Sequence, residues 1–328
     1  MPPLRIVIIL FLIGSSVSGC ADTSLYTDQP SYVALAERFI ETEGLSHLPH
    51  QRLAITSFGM EFDTKLLIPL TTGQRHRLPG ESHIAPNVHK ALVLDLAEDR
   101  MQSLADQAYT QLVEDLQAAG YDIVPYDTFK NLPAYRLLSD LVGNESPTPM
   151  TFKLGYPDHV IQGEALVFAP TGSRWYSPPV GEVGSRLGET LASLGSDIRL
   201  VRRGLLGGEA VSQAEINLAN QLNATLVKAY YVVRPLQSNL EAEWLEGTLP
   251  IKGYTIVGSG ETHLAFRTPG APTSHHLLGR QTPPQGGNAF VRLLRDVRVR
   301  NSPTSSQDLK TYLDIIGKLF ILALLVER

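Results

Sequence analysis

Met101, Leu104, Ala105, Ala108, Leu112, Val113 and Leu116 recur at the i, i+3, i+4, i+7 spacing of a single helical face. This pattern predicts a helix over 97–119. Glu98 and Asp99 fall in its first turn, where negative charge suits the helix dipole, and Gly120 follows its end. Before it, 52–62 (RLAITSFGMEF) reads as a strand with Leu53, Ile55 and Ser57 on one side, and 91–96 (ALVLDL) as a second. The intervening 63–90 is rich in Gly, Pro and His and reads as a long loop or an irregular hairpin. After the helix, Tyr121–Val124 begins another strand, so strand, helix, glycine and strand follow one another as in α/β layers.

The remaining pattern is of the same kind. Val33, Leu35, Ala36 and Phe39 predict a helix over 31–43. A short helix is expected at 131–141, a loop at 143–149 and a strand at 160–168. A Pro/Gly loop at 170–181 carries Trp175 and Tyr176, and 183–194 has helical character weakened by Gly184 and Gly188. Ser212 and Glu215 have the spacing of a capping box, which starts a helix at 214–222. Asn223 and Ala224 turn the chain into the aromatic, β-branched strand 225–233. Residues 254–257 and 261–266 read as paired strands joined by Gly258-Ser259-Gly260. Loop follows at 268–287, 288–299 fits helix or strand, and Ser306 caps a terminal helix over 307–326. The expected fold is α/β (or α+β), a mixed sheet covered by helices with a helix at its C-terminus. Two α/β units, 31–150 and 151–328, either adjoin or form one continuous domain.

The chain has 328 residues, enough for a sizeable core. Its 28 Lys and Arg against 33 Asp and Glu give a formal net charge of −5, which argues against a general nucleic-acid binder. The single cysteine, Cys20, stands after Arg5, an apolar run Ile6–Ile13 and the small residues Val17-Ser18-Gly19. The apolar run has signal-peptide length and falls short of the ~20 residues needed to span a bilayer. Leu319–Val326 is also too short.

Val17–Cys20 (VSGC) resembles the lipobox of bacterial lipoproteins. The resemblance implies that 1–19 are a signal peptide and that Cys20 carries a diacylglyceryl group, with acylation of the new α-amine in addition. Ala21 rather than aspartate follows the cysteine, which in the enteric sorting pattern favours the outer membrane. Residues 20–30 then form a flexible tether, and the body faces the periplasm.

RLAITSFGMEF, the helix after it and GYDIVPYDTF resemble lipoproteins related to the curli-secretion channel and to the amino-terminal domain of TolB. AEINLANQLNATLVKAYYVV resembles their later helix–strand unit. The resemblance implies a non-enzymatic sheet covered by helices, and no functional residue beyond Cys20 carries over. Barrel strands need about 9–11 alternating residues, whereas 59–96 breaks into QRHRLPGESH, which argues against a pore.

Nine histidines raise metal chemistry. His76, His83 and His89 share a segment with Glu81, His275-His276 lie in a loop, and Glu261-Thr262-His263 lies on an expected strand. Zinc takes three or four ligands in tetrahedral array, and no H-E-x-x-H helix is present. The G-x-S-x-G elbow and the phosphate-binding loop are also missing. Glu241/Glu243 and Glu98/Asp99 read as exposed charges. Arg202-Arg203 with Arg292, Arg295, Arg298 and Arg300 would suit anionic lipid or another subunit, or form a solvated face. Trp175 and Tyr176 suit either a partner contact or packing back on the core. The sequence thus points to a lipid-anchored envelope protein without catalytic residues, metal or cofactor. Its partners would be the membrane through Cys20 and other envelope proteins, with self-association a further possibility. The alternatives are a metal-dependent hydrolase built on 76–89 and a carrier or sensor of a small apolar ligand.

Overall fold

The computed structural model describes residues 40–43, 45, 52–69, 89–93, 96–156, 159–176, 198–234, 254–257, 262–269, 288–293, 297–300 and 317–325. Their strands are β1 (Ile40–Glu43), β2 (Arg52–Pro69), β3 (His89–Val93), β4 (Asp122–Ile123), β5 (Thr148–Tyr156) and β6 (His159–Phe168), followed by β7 (Thr225–Arg234), β8 (Tyr254–Val257), β9 (His263–Arg267), β10 (Asn288–Leu293) and β11 (Val297–Arg300). The helices are α1 (Glu98–Ala118), α2 (Tyr126–Phe129), α3 (Pro133–Val142), α4 (Ile198–Leu222) and a C-terminal α5 at 317–325. This is an α/β fold with a mixed sheet.

All eleven strands join one sheet, whose main order is β1-β10-β9-β7-β2-β6-β5. β2 is its axis. Along one edge it pairs with β7 in parallel and then with β3 antiparallel; along the other it pairs with β4 in parallel and β6 antiparallel. Because β2 pairs with β7 and β6, strands from before and after residue 150 share this sheet. β8 and β9 follow one another along β7, and β10 and β11 follow one another on their outer side.

The registers of β2 slip twice, at Thr56 against β7 and at Thr64 against β6. A bulge inserts one residue and so exchanges the faces of every side chain beyond it. Leu53 and Ile55 therefore share a core face with Phe58, Met60 and Phe62, while Ser57, expected beside them, turns to the other face. On the first face, α1 buries Met101, Leu104, Leu112 and Leu116, each worth ~1.5–3 kcal/mol when fully buried, with Ala105 and Ala108 between them. α5 joins it with Leu319, Phe320, Leu322, Ala323 and Leu324. On the second face, α2, α3 and α4 gather Phe129, Tyr135, Leu138, Ala214 and Leu218 over Ala54 and Leu226 of the strands.

Several expectations change. Ile40–Glu43 is an edge strand and not helix, because antiparallel pairing with β10 outweighs a weak helical pattern in a segment that also alternates as Ile-Glu-Thr-Glu. β2 runs on to Pro69 and returns through β3, the hairpin reading of 63–90; 70–88 lie outside the described residues. β5, expected as loop up to 149 and left unassigned after it, pairs along its full length with β6. β8 and β9 are not a hairpin: each pairs with β7 instead. The segment 288–299 resolves into β10 and β11. α4 starts at Ile198, so Ser212 lies inside the helix and caps nothing. The expected helix at 183–194 lies outside the described residues.

Candidate functional site

The two slips of β2 create a polar patch on the second face of the sheet. Between them they turn Ser57, Gly59, Glu61 and Asp63 toward that face, where β7 contributes Lys228 and Tyr230 and β9 contributes His263 and Arg267. Charged side chains at strand positions are costly to bury unless they are paired, and Glu61, Asp63, Lys228, His263 and Arg267 are buried.

One half of the patch is ionic. Glu215 of α4 is fully buried and bridges two strands: Oε1 lies 3.1 Å from Lys228 Nζ, and Oε2 lies 3.3 Å from Arg267 Nε. Ser212, one helical turn earlier, accepts hydrogen bonds from the Arg267 guanidinium at 2.7 and 3.2 Å. The pair read as a capping box thus serves to hold a buried arginine. Nucleophilic serine chemistry needs a base that can take the hydroxyl proton. Ser212 faces a guanidinium, which carries donors alone.

The other half is aromatic. Tyr230 lies over Gly59, donates its phenol proton to Glu61, and sits between the tilted rings of Trp175 and His263, with centroids 5.8 and 6.0 Å away. A Cβ on Gly59 would stand 3.0 Å from the Tyr230 ring and 3.4 Å from that of Trp175, so the absence of a side chain at this position permits the packing. Trp175 donates its indole N–H to Thr148 Oγ1 at 3.0 Å. Tyr176 docks onto the bulge: its hydroxyl lies 2.7 Å from Thr56 Oγ1, and its backbone N–H and C=O bond the Ser57 hydroxyl at 2.9 and 3.0 Å. Trp175 and Tyr176 are each 3% exposed, so they pack back on the sheet and form no exposed contact patch.

The other candidates are scattered. Cys20, His76, Glu81, His83, Glu241, Glu243, His275, His276 and Arg295 lie outside the described residues. His89 starts β3 opposite Pro69, far in sequence from His263 on β9. Arg202 and Arg203 lie on α4. Arg292 stands opposite Glu41 and His263, while Arg298 and Arg300 lie on β11. Arg292 therefore sits on a strand, the second of the two readings of 288–299. Glu98 and Asp99 occupy the first turn of α1, as expected. Among the described residues, no group of three or more His, Cys, Asp or Glu is placed to hold a metal ion, and no helix is long and apolar enough to cross a membrane. Sequence reasoning missed Glu61, Asp63, Tyr230, Lys228 and Arg267. A signal was available in Lys228, which interrupts the apolar strand TLVKAYYVV, and in Glu61 within RLAITSFGMEF. Comparison with protein-family models, with curated proteins and with solved structures finds no match.

Proposed function

We propose that this protein is a lipid-anchored component of a Gram-negative cell envelope, held in the outer membrane through Cys20, that acts through contacts with other proteins and not by catalysis. The observation that carries this reading is the VSGC sequence at Val17–Cys20 behind a short apolar segment. Each methylene of an acyl chain adds ~0.8 kcal/mol of membrane affinity, so two or three chains on one cysteine hold a soluble body firmly. Support for a non-catalytic role comes from how the polar groups of the second face are used. Glu215, Lys228, Arg267 and Ser212 bind one another across a helix–sheet interface, and the Tyr230 phenol is engaged with Glu61.

The test is expression of the full chain in a Gram-negative host fed a clickable palmitate analogue. The wild type is expected to take up label and to sediment with outer membranes, and Cys20→Ser to lose both. Crosslinking of the wild type in intact cells should then yield discrete adducts. An unlabelled wild type, or a Cys20→Ser product still labelled, would overturn the anchor. A labelled protein that forms no adduct at native level would overturn the contact role.

A further inference from the structure

We propose that α2, α3 and α4 form a separable layer that lifts from the sheet as a unit while α1 and α5 stay in place. The two faces of the sheet are built differently. The first-face cluster draws on Leu53, Ile55, Phe58, Met60 and Phe62 of β2 and on Val227, Ala229, Tyr231 and Val233 of β7, with further side chains from β9 and β10. α1 and α5 therefore share one continuous apolar core with the sheet.

The second-face layer keeps most of its apolar contact to itself. Phe129 of α2, Ala134, Tyr135 and Leu138 of α3, and Val211, Ala214, Leu218, Ala219 and Leu222 of α4 make up most of its cluster, to which the sheet side adds Ala54, Leu226 and, at the strand ends, Val124 and Ala224. Tyr126, Phe129 and Tyr135 meet edge to face within it, with ring centroids 5.1 to 5.7 Å apart. Among the described residues, α4 is tied to the strands by polar side chains as well as by the small apolar set of the sheet side. Glu215 contacts Lys228 and Arg267, Ser212 accepts from Arg267, and Arg52 donates to the Leu222 carbonyl at 3.2 Å.

Apolar contacts lose their full value when an interface opens to water, because nothing replaces them. Ions and hydrogen-bonding groups recover hydration on opening, which offsets much of what their contacts contributed. The seam under α4 therefore opens at lower free energy than the seam under α1. Proteins open locally in such cooperative units. Opening carries Ser212 and Glu215 away and uncovers Lys228 and Arg267 on the sheet.

Hydrogen exchange of the full chain, read by mass spectrometry and corrected for intrinsic rates, tests this. Amides of 126–142 and 210–222 should exchange together, at least about tenfold faster than those of 101–116. Glu215→Gln should speed the first two segments by a further factor of about ten. Should that variant fail to fold, Ser212→Ala, which removes hydrogen bonds to Arg267, should give the same change in smaller degree. Equal protection of α4 and α1 in the wild type would overturn the proposal. So would a substitution that leaves 126–142 and 210–222 as protected as in the wild type.

Discussion

Thr56 and Thr64 set the character of β2. Each is the extra residue of a register slip, and each hydroxyl reaches a carbonyl of the neighbouring strand: Thr56 that of Val227 at 3.4 Å, Thr64 that of Glu164 at 3.1 Å. The first slip places Gly59 under two aromatic rings. Gly59→Ala is expected to cost about 1–3 kcal/mol, because its new methyl must displace rings held by Glu61 and Thr148. Denaturant unfolding would measure the loss, and tryptophan fluorescence would report the shift of Trp175. Wild-type stability with an unchanged spectrum would show that the rings yield freely. Little of this was legible in RLAITSFGMEF. Alternation fixes which residues share a face only while the register is unbroken, and a bulge is decided by the partner strand.

Helix α1 was legible in the chain nearly to its ends, because a long amphipathic stripe determines both the helix and its buried side. The short α3 was legible too, though not the role of its aromatic residue. Tyr135 is buried against α2 and α4, and burial, with a hydrogen bond to Tyr126, pushes its phenol far above the ordinary 10.0. Burial likewise raises Tyr109 on α1. A phenol that keeps its proton longer in the fold than in the unfolded chain leaves stability intact below pH about 10. Above it, the unfolded chain ionises first and stability falls. Unfolding midpoints measured on both sides of pH 10 should decline on the alkaline side. Tyr135→Phe should make that decline shallower while lowering stability at neutral pH by about 1 kcal/mol through loss of the hydrogen bond. An alkaline slope unchanged by this substitution would rule Tyr135 out as its source. Ser212 and Glu215 illustrate the opposite case. Their spacing fits a helix start, but the helix begins earlier, and the same two side chains meet Arg267 from a strand 52 or more positions away.

The sheet joins the described strands into one unit, and the ionic cluster under α4 depends on Glu215, Lys228 and Arg267 meeting from α4, β7 and β9. Glu215→Ala leaves Lys228 and Arg267 buried without their shared carboxylate and is expected to cost about 3–5 kcal/mol. Replacing Glu215, Lys228 and Arg267 together by Leu, Met and Met should recover most of that loss, since a well-packed apolar set of similar size needs no hydration. Urea midpoints of the two variants and the wild type decide it. A triple variant no more stable than Glu215→Ala would mean that the charges do more than fill the seam.

Local periodicity and composition were enough to determine the α/β class, the main helix, the strand 225–233 and the lipobox-like Val17–Cys20, because each depends on residues close together in sequence. The pairing of β2 with β7 and β6, the end-to-end course of β8 and β9, the extra edge strand β5 and the polar second face were decided only by the tertiary structure. The register of β2 with β7 and β6 joins residues about a hundred or more positions apart, and Glu215 meets Arg267 across 52, so no short window of sequence contains both partners.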